Sequence, residues 1–181
     1  MYKYIMTIIT ATIVFLPHKV FSDQGQISLS LNPGFTIFTK NQTYDFNNGP
    51  KFDIAIGYDA SDESNVNFDM GINRFQNNVD NNLLMNLIYT GINLKQYLNG
   101  GIEKGYFTGG LNFVYANFSG TPSLTPKPAH DMGVLLNAGV GIDVMASSSF
   151  FFGPLLKYEG VILQKTYLSL LSFQIDAGFL F

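Results

Sequence analysis

The chain has 181 residues, of which 46% are hydrophobic, 15% aromatic and only 13% charged, with a formal net charge of −3 and no cysteine. Soluble domains carry roughly 25% charged residues, so this composition excludes an ordinary charge-rich surface, and the missing thiols exclude disulfides, thiolate metal sites and a cysteine nucleophile. Beyond the N-terminus no apolar run reaches about 18 residues, which argues against membrane-spanning helices. What remains is a very apolar soluble protein, or one whose lipid-facing residues are spread over alternating strand positions.

Residues 1–22 divide like a secretory signal. Lys3 supplies the positive start, Tyr4 to Leu16 the apolar run, Pro17 and His18 the break, and Val20-Phe21-Ser22 the peptidase site. Cleavage is expected after Ser22. Loss of Lys3 and Lys19 leaves eight basic and thirteen acidic residues, a net charge of −5. A mildly acidic chain with no basic cluster gives no reason to expect nucleic acid as a partner.

From there the chain reads as strands, because apolar residues recur at every second position and successive strand side chains point to opposite faces. Gln26 to Phe38 sets Ile27, Leu29, Leu31, Pro33, Phe35 and Ile37 against Ser28, Ser30, Asn32, Gly34 and Thr36. A polar tract, Thr39 to Gly49, reads as an exposed loop. Lys51 to Asp59 sets Phe52, Ile54, Ile56 and Tyr58 against Lys51, Asp53, Ala55, Gly57 and Asp59. After a short turn, Val66 to Phe75 sets Val66, Phe68, Met70 and Ile72 against Asn67, Asp69, Gly71 and Asn73.

Gln76 to Asn82 is a second polar loop. The fourth strand lies within Leu83 to Tyr97, where Leu84, Ile88, Ile92 and Leu94 fit one face while Met85, Leu87 and Tyr89 fit the other; a bulge would switch them. A turn over Leu98 to Lys104 leads to a strand over Gly105 to Asn117. The third loop, Phe118 to Asp131, is rich in Pro and Ser. Met132 to Met145 and Phe150 to Glu159 follow as strands across a tight turn, Ala146 to Ser149. Gly160 to Lys165 reads as the fourth loop. In the last stretch, Leu171, Phe173, Ile175, Ala177, Phe179 and Phe181 share one parity, and Ser172, Gln174, Asp176 and Gly178 the other.

Eight strands in sequence, with connections mostly alternating long and short, predict an all-β, eight-stranded antiparallel up-and-down transmembrane β-barrel occupying residues 23–181. The polar parity decides which face meets lipid. On a soluble barrel it would be rich in Lys, Glu and Arg; here it is mostly Gly, Ala, Ser, Asn and Thr, which suits the narrow interior of eight strands. Closure also leaves no unpaired strand edge in the bilayer.

Gly105-Tyr106-Phe107-Thr108-Gly109-Gly110-Leu111-Asn112 and Asn137-Ala138-Gly139-Val140-Gly141-Ile142-Asp143 resemble the glycine-spaced central strands of small eight-stranded Gram-negative outer-membrane barrels. The closing strand, with Phe179 and Phe181, resembles their C-terminal assembly signal. The resemblance implies the outer membrane as location, both termini in the periplasm, four loops outside, and the barrel-assembly machinery as a partner.

Chemistry is sparse. His130 is the one histidine after the signal segment, placed in the third loop with Asp131 beside it and Ser119 and Ser123 upstream. Lipid A-modifying enzymes are also small barrels, but no His-x-Ser strand motif is present, and a solvated loop histidine is the simpler reading. No cofactor or metal is expected: Asp59, Asp62 and Glu63 have no EF-hand spacing, and no helix follows Gly139-Val140-Gly141 to hold a phosphate.

Asp53, Asp69, Asp143, Lys157, Glu159 and Asp176 are expected in the lumen, either lining a cation-attracting pore or paired into a plug, with Lys157 as hub and Asp143 or Asp176 as its partner. Arg74 is expected on the outer wall near the rim, pairing with a lipopolysaccharide phosphate or snorkelling. Tyr58, Tyr89, Tyr115 and Tyr158 are expected in the aromatic girdles. The expected role is a non-enzymatic envelope protein, adhesin-like, meeting outer-membrane lipid, lipopolysaccharide and an extracellular ligand through loops 39–49 and 118–131. A narrow solute channel is the alternative, and a lipid A-modifying enzyme a third.

Overall fold

The computed structural model describes residues 25–41, 46–78, 83–98, 103–119, 130–164 and 166–181; the expected signal segment lies outside them. Eight strands follow one another: β1 (Ile27–Asn41), β2 (Gly49–Ser61), β3 (Ser64–Gln76), β4 (Leu84–Leu98), β5 (Glu103–Ser119), β6 (His130–Met145), β7 (Phe150–Leu163) and β8 (Tyr167–Leu180). Each pairs antiparallel with its sequence neighbours, and β8 returns to β1, so the sheet is a closed barrel without edges. Beyond the last ladder pair, Phe181 N–H donates to Ile27 O at 2.8 Å. The connections after β2, β4 and β6 define one end of the barrel, called here the turn end; those after β1, β3, β5 and β7 define the loop end.

The two-residue alternation maps onto two solvents. Ile54, Ile56, Phe68, Met70, Ile92, Leu111, Phe113, Val140, Phe152, Phe173 and Ile175 all point outward and form a continuous exposed belt. Phe173, Ile175 and Phe179 are 48%, 57% and 52% exposed while Asp176 is 5% exposed, which settles that the greasy parity is the outer wall. Burying so much apolar surface would be the task of a core in a water-soluble chain; on the outside of a barrel it matches hydrocarbon.

Two prolines interrupt the ladder in a consistent way. Pro33 in β1 and Pro154 in β7 have no N–H to donate, and the β1–β8 pairing skips from Leu31 to Gly34 while the β6–β7 pairing skips from Leu155 to Phe152. Beside the Pro33 gap, Gln174 Nε2 donates to Asn32 O at 3.1 Å, so a lumen side chain ties β8 to β1 there.

Several local expectations are corrected. β4 carries no bulge: both of its ladders run in one register, so Met85, Leu87 and Tyr89 point inward and Leu84, Ile88, Ile92 and Leu94 outward. Both faces of its first half are apolar, which is why alternation was unreadable there. Gly160 to Leu163 belongs to β7, and only residues 164–166 separate it from β8, closed by Leu163 N–H to Thr166 O at 2.9 Å. His130 and Asp131 open β6 instead of lying in the third loop. Phe46, in the tract read as an exposed loop, is buried and bridges to Asn77.

Candidate functional site

The lumen is filled in layers. At the turn end, Lys95 from β4 places its Nζ 2.6 Å from Asp143 and 2.9 Å from Asp176. Tyr97 donates to Asp143 at 2.9 Å and Tyr106 to Asp176 at 3.2 Å. The Lys95 ammonium also lies over the Tyr106 ring, 3.9 Å from its centroid. Dispersed guanidinium and ammonium contacts with ring faces are strongest when desolvated, and Lys95 is 6% exposed.

Nearer the middle, Lys51 pairs with Glu159, and its Nζ is 3.7 Å from Asp53. Lys157 Nζ lies 3.8 Å from Asp53 and 3.7 Å from Asp69. Asp53 also accepts from Tyr89 OH, and from Gln174 Nε2 at 2.7 Å. Ser172 donates to Glu159 at 2.8 Å, and its Oγ lies 2.9 Å from Thr36 Oγ1. Between the two clusters a cavity of about 30 Å³, lined by Asn65, Asp69, Asn93, Lys95, Lys157 and Asp176 among others, has room for about one water.

Toward the loop end the interior turns apolar. Phe75, Met85, Leu87, Val114, Ala116, Leu135, Val161, Leu168 and Leu170 pack into one buried cluster, with Phe46 folded over it. Phe46 stacks on Phe38 at 6.4 Å between centroids, and Phe38 tilts against Phe75 at 4.5 Å. The turn end, by contrast, opens into a vestibule of about 260 Å³ bounded by Asp59, Asp62, Tyr97, Lys104, Asp143 and Phe151.

All six titratable residues singled out from the sequence, Asp53, Asp69, Asp143, Lys157, Glu159 and Asp176, are buried in the interior. Their partnership differs from the expected one. Lys157 joins Asp53 and Asp69, and Asp143 and Asp176 share Lys95. The reason is axial position: Lys157 stands beside Ser172 in the β7–β8 register while Asp176 stands beside Gly153, four residues nearer the turn end, or about 13 Å along the strand. Lys95 and Lys51 were missed as hubs. Lys51 was visible on the inward parity; Lys95 lay in the strand whose parity was unresolved. Tyr89 leaves the aromatic girdles for the lumen, whereas Tyr58, Tyr115 and Tyr158 are exposed on the outer wall.

Across the two clusters, three lysines face five carboxyl groups among the described residues, a formal excess of two acidic groups. One carboxylate at the loop end, Asp131, is separate: its Oδ1 accepts from Met132 N–H at 2.8 Å and Gln164 N–H at 3.4 Å. Asp131 is buried and its neighbour His130 exposed, stacked on Tyr115 at 6.1 Å. Adjacent strand residues face opposite ways, so His130 and Asp131 do not form an oriented base. Ser119 is exposed at the end of β5 and Ser123 lies outside the described residues. No group of three or more His, Cys, Asp or Glu suited to a metal ion occurs among the described residues.

No protein-family profile matches the sequence, and no curated protein does. Solved structures match the fold. The Neisserial surface protein A (NspA) aligns at TM-score 0.62 and 14% identity over 87% of this chain and 96% of its own. The N-terminal β-barrel domain of Pseudomonas aeruginosa OprF aligns at 0.56 and 18% identity, covering 87% and 100%. Ail, the attachment invasion locus protein of Yersinia pestis, aligns at 0.56 and 15% identity, covering 87% and 99%. The fold is that of the small eight-stranded outer-membrane β-barrels.

Proposed function

We propose that this chain is an integral outer-membrane barrel whose lumen is sealed by its own side chains and whose work is done at the surface, by its loops and outer wall. The observation that supports the reading is an apolar outer belt paired with an interior that holds both an ionic and a hydrophobic cluster of buried side chains. An aqueous path would have to pass Phe46, Phe75, Leu135 and Leu170, and eight strands enclose little more than their own side chains. The name of Ail refers to attachment and invasion, and the shared fold agrees with a surface-interaction role of that adhesin-like kind. In this reading loops 39–49 and 118–131 meet an extracellular ligand, lipopolysaccharide and other outer-membrane lipid surround the wall, and Phe179 and Phe181 help present β8 to the barrel-assembly machinery. No catalytic step is assigned.

The test is planar-bilayer conductance of the refolded chain, alongside fractionation and heat-modifiable gel mobility. A heat-modifiable outer-membrane protein giving no steady current steps is the expected result. Regular steps at a fixed amplitude would replace the sealed barrel by the solute channel, and a chain recovered in the soluble fraction would remove the membrane reading.

A further inference from the structure

The outer wall carries one arginine. Arg74 is exposed near the loop end of β3, on the same face as Val66, Phe68, Met70 and Ile72. Among the described residues no carboxylate pairs with it. The cross-strand register sets it in a row: Arg74 lies opposite Asn86, Asn86 opposite Asn117, and Asn117 opposite His130. Two residues further toward the turn end, the same four strands present Ile72, Ile88, Tyr115 and Met132, again opposite one another. Four neighbouring strands therefore change from apolar to hydrogen-bonding side chains along one line of register, at the loop-end margin of the belt.

We propose that this row binds the phosphate of a lipid headgroup in the outer leaflet. The inference rests on the reading that the barrel sits in the outer membrane with its loop end outward. The guanidinium supplies charge and a planar fork that matches two phosphate oxygens. The amides of Asn86 and Asn117 supply neutral donors beside it, and the His130 ring, held parallel to Tyr115, a further one. At about 4.8 Å between strands, the row is about 14 Å long, the width of a headgroup and not of a single ion. Its position explains why a lipid is the occupant: acyl chains would lie along Ile72, Ile88, Tyr115 and Met132 immediately below. The opposite wall is built differently among the described residues. There Thr39, Tyr158 and Ser169 satisfy one another, with Ser169 Oγ 2.6 Å from both Thr39 Oγ1 and Tyr158 OH.

The experiment compares the folded full-length protein with Arg74→Gln and Arg74→Lys, using purified lipopolysaccharide as probe in detergent. The readout is lipopolysaccharide retained per barrel. Loss of one charged hydrogen-bonding group from such a site weakens retention by about tenfold or more. That loss is expected for Arg74→Gln, with a smaller one for Arg74→Lys, which keeps the charge but not the fork. Phosphatase-treated lipopolysaccharide is expected to bind the wild type as weakly as the intact glycolipid binds Arg74→Gln, and inorganic phosphate not to compete. Equal retention by wild type and Arg74→Gln, or equal binding of the dephosphorylated probe, would overturn the inference. Competition by inorganic phosphate would also overturn it, by making the row an anion site and not a lipid site. If both proteins fractionate with the outer membrane and shift on heating while retention is unchanged, only this inference fails. If the wild type does not reach the outer membrane, the reading beneath it fails.

Discussion

Lys95→Met is the perturbation that most directly tests the buried ionic layer. Methionine keeps the length and apolar stem of lysine but removes the ammonium held 2.6 Å from Asp143, 2.9 Å from Asp176 and 3.9 Å above the Tyr106 ring. The local charge, one ammonium against two carboxylates, falls from −1 to −2 in a site with side-chain exposure of 7% or less. Removing one partner of a buried pair costs about 3–5 kcal/mol, because the remaining charge is left without compensation. Asp143→Asn works in the opposite direction. It leaves Lys95 with Asp176 alone and the cluster neutral, so only the difference between charged and neutral acceptors is lost, about 1–2 kcal/mol. The assay is urea unfolding in lipid vesicles, followed by the gel shift between folded and unfolded barrel. Lys95→Met is expected to be the costlier change by at least about 2 kcal/mol, and to cost less in the Asp143→Asn background than alone. A Lys95→Met cost below about 1 kcal/mol, or equal costs for the two, would refute the surplus-charge reasoning.

Ile92→Arg, in the belt and 60% exposed, should destabilise the barrel in vesicles by about 2–4 kcal/mol, against about 0–1 for Tyr58→Arg near the turn end; equal costs would mean that the wall faces water. Leu135→Ala should cost about 2–5 kcal/mol by opening a cavity in the loop-end layer, yet bilayer recordings should stay silent, since the proposed ionic seal is untouched. At Gly153 an added Cβ would lie 1.6 Å from the Ile142 backbone carbonyl oxygen, whereas at Gly105 the nearest atom is 4.0 Å away. Refolding yield should therefore collapse for Gly153→Ala and remain near wild type for Gly105→Ala.

The outer wall was legible because lipid imposes one requirement on every position of one parity. Phe52, Ile54, Ile56 and Tyr58, or Phe173, Ile175 and Phe179, announce their face without knowledge of any neighbour. The lumen was legible only as a set of residues. Which ammonium meets which carboxylate depends on axial position and on reach across the barrel, and neither is a matter of sequence spacing. Lys95 and Asp176 come from strands on different sides of the barrel, and Lys95 finds its carboxylates only after β4, β6 and β8 are staggered by closure. The row containing Arg74 is of the same kind: its members are separated by tens of residues and become neighbours through register alone.

The failures of alternation carry information of their own. They fall on Leu83 to Tyr89, on Gly160 to Leu163 and on Phe46, which serve the loop-end layer, and on Phe151 and Leu155, which turn inward nearer the turn end. A barrel strand alternates apolar and polar only where its lumen is polar; where the lumen is apolar too, both parities become hydrophobic and the period of two vanishes. The two apolar faces answer to different solvents. Outside, Ile88 and Ile92 replace water by lipid. Inside, Leu87, Leu135 and Leu170 replace the water that would otherwise fill the mouth, and each fully buried side chain of this kind contributes about 1.5–3 kcal/mol. Placing that layer at the loop end, with the ionic clusters beneath it, keeps Lys51, Lys95 and Lys157 paired in a low dielectric away from external solvent on that side, while the vestibule leaves the turn end of the Lys95 cluster closer to water. A strand that loses its alternation inside an otherwise regular barrel is therefore evidence of where the lumen is lined by apolar side chains.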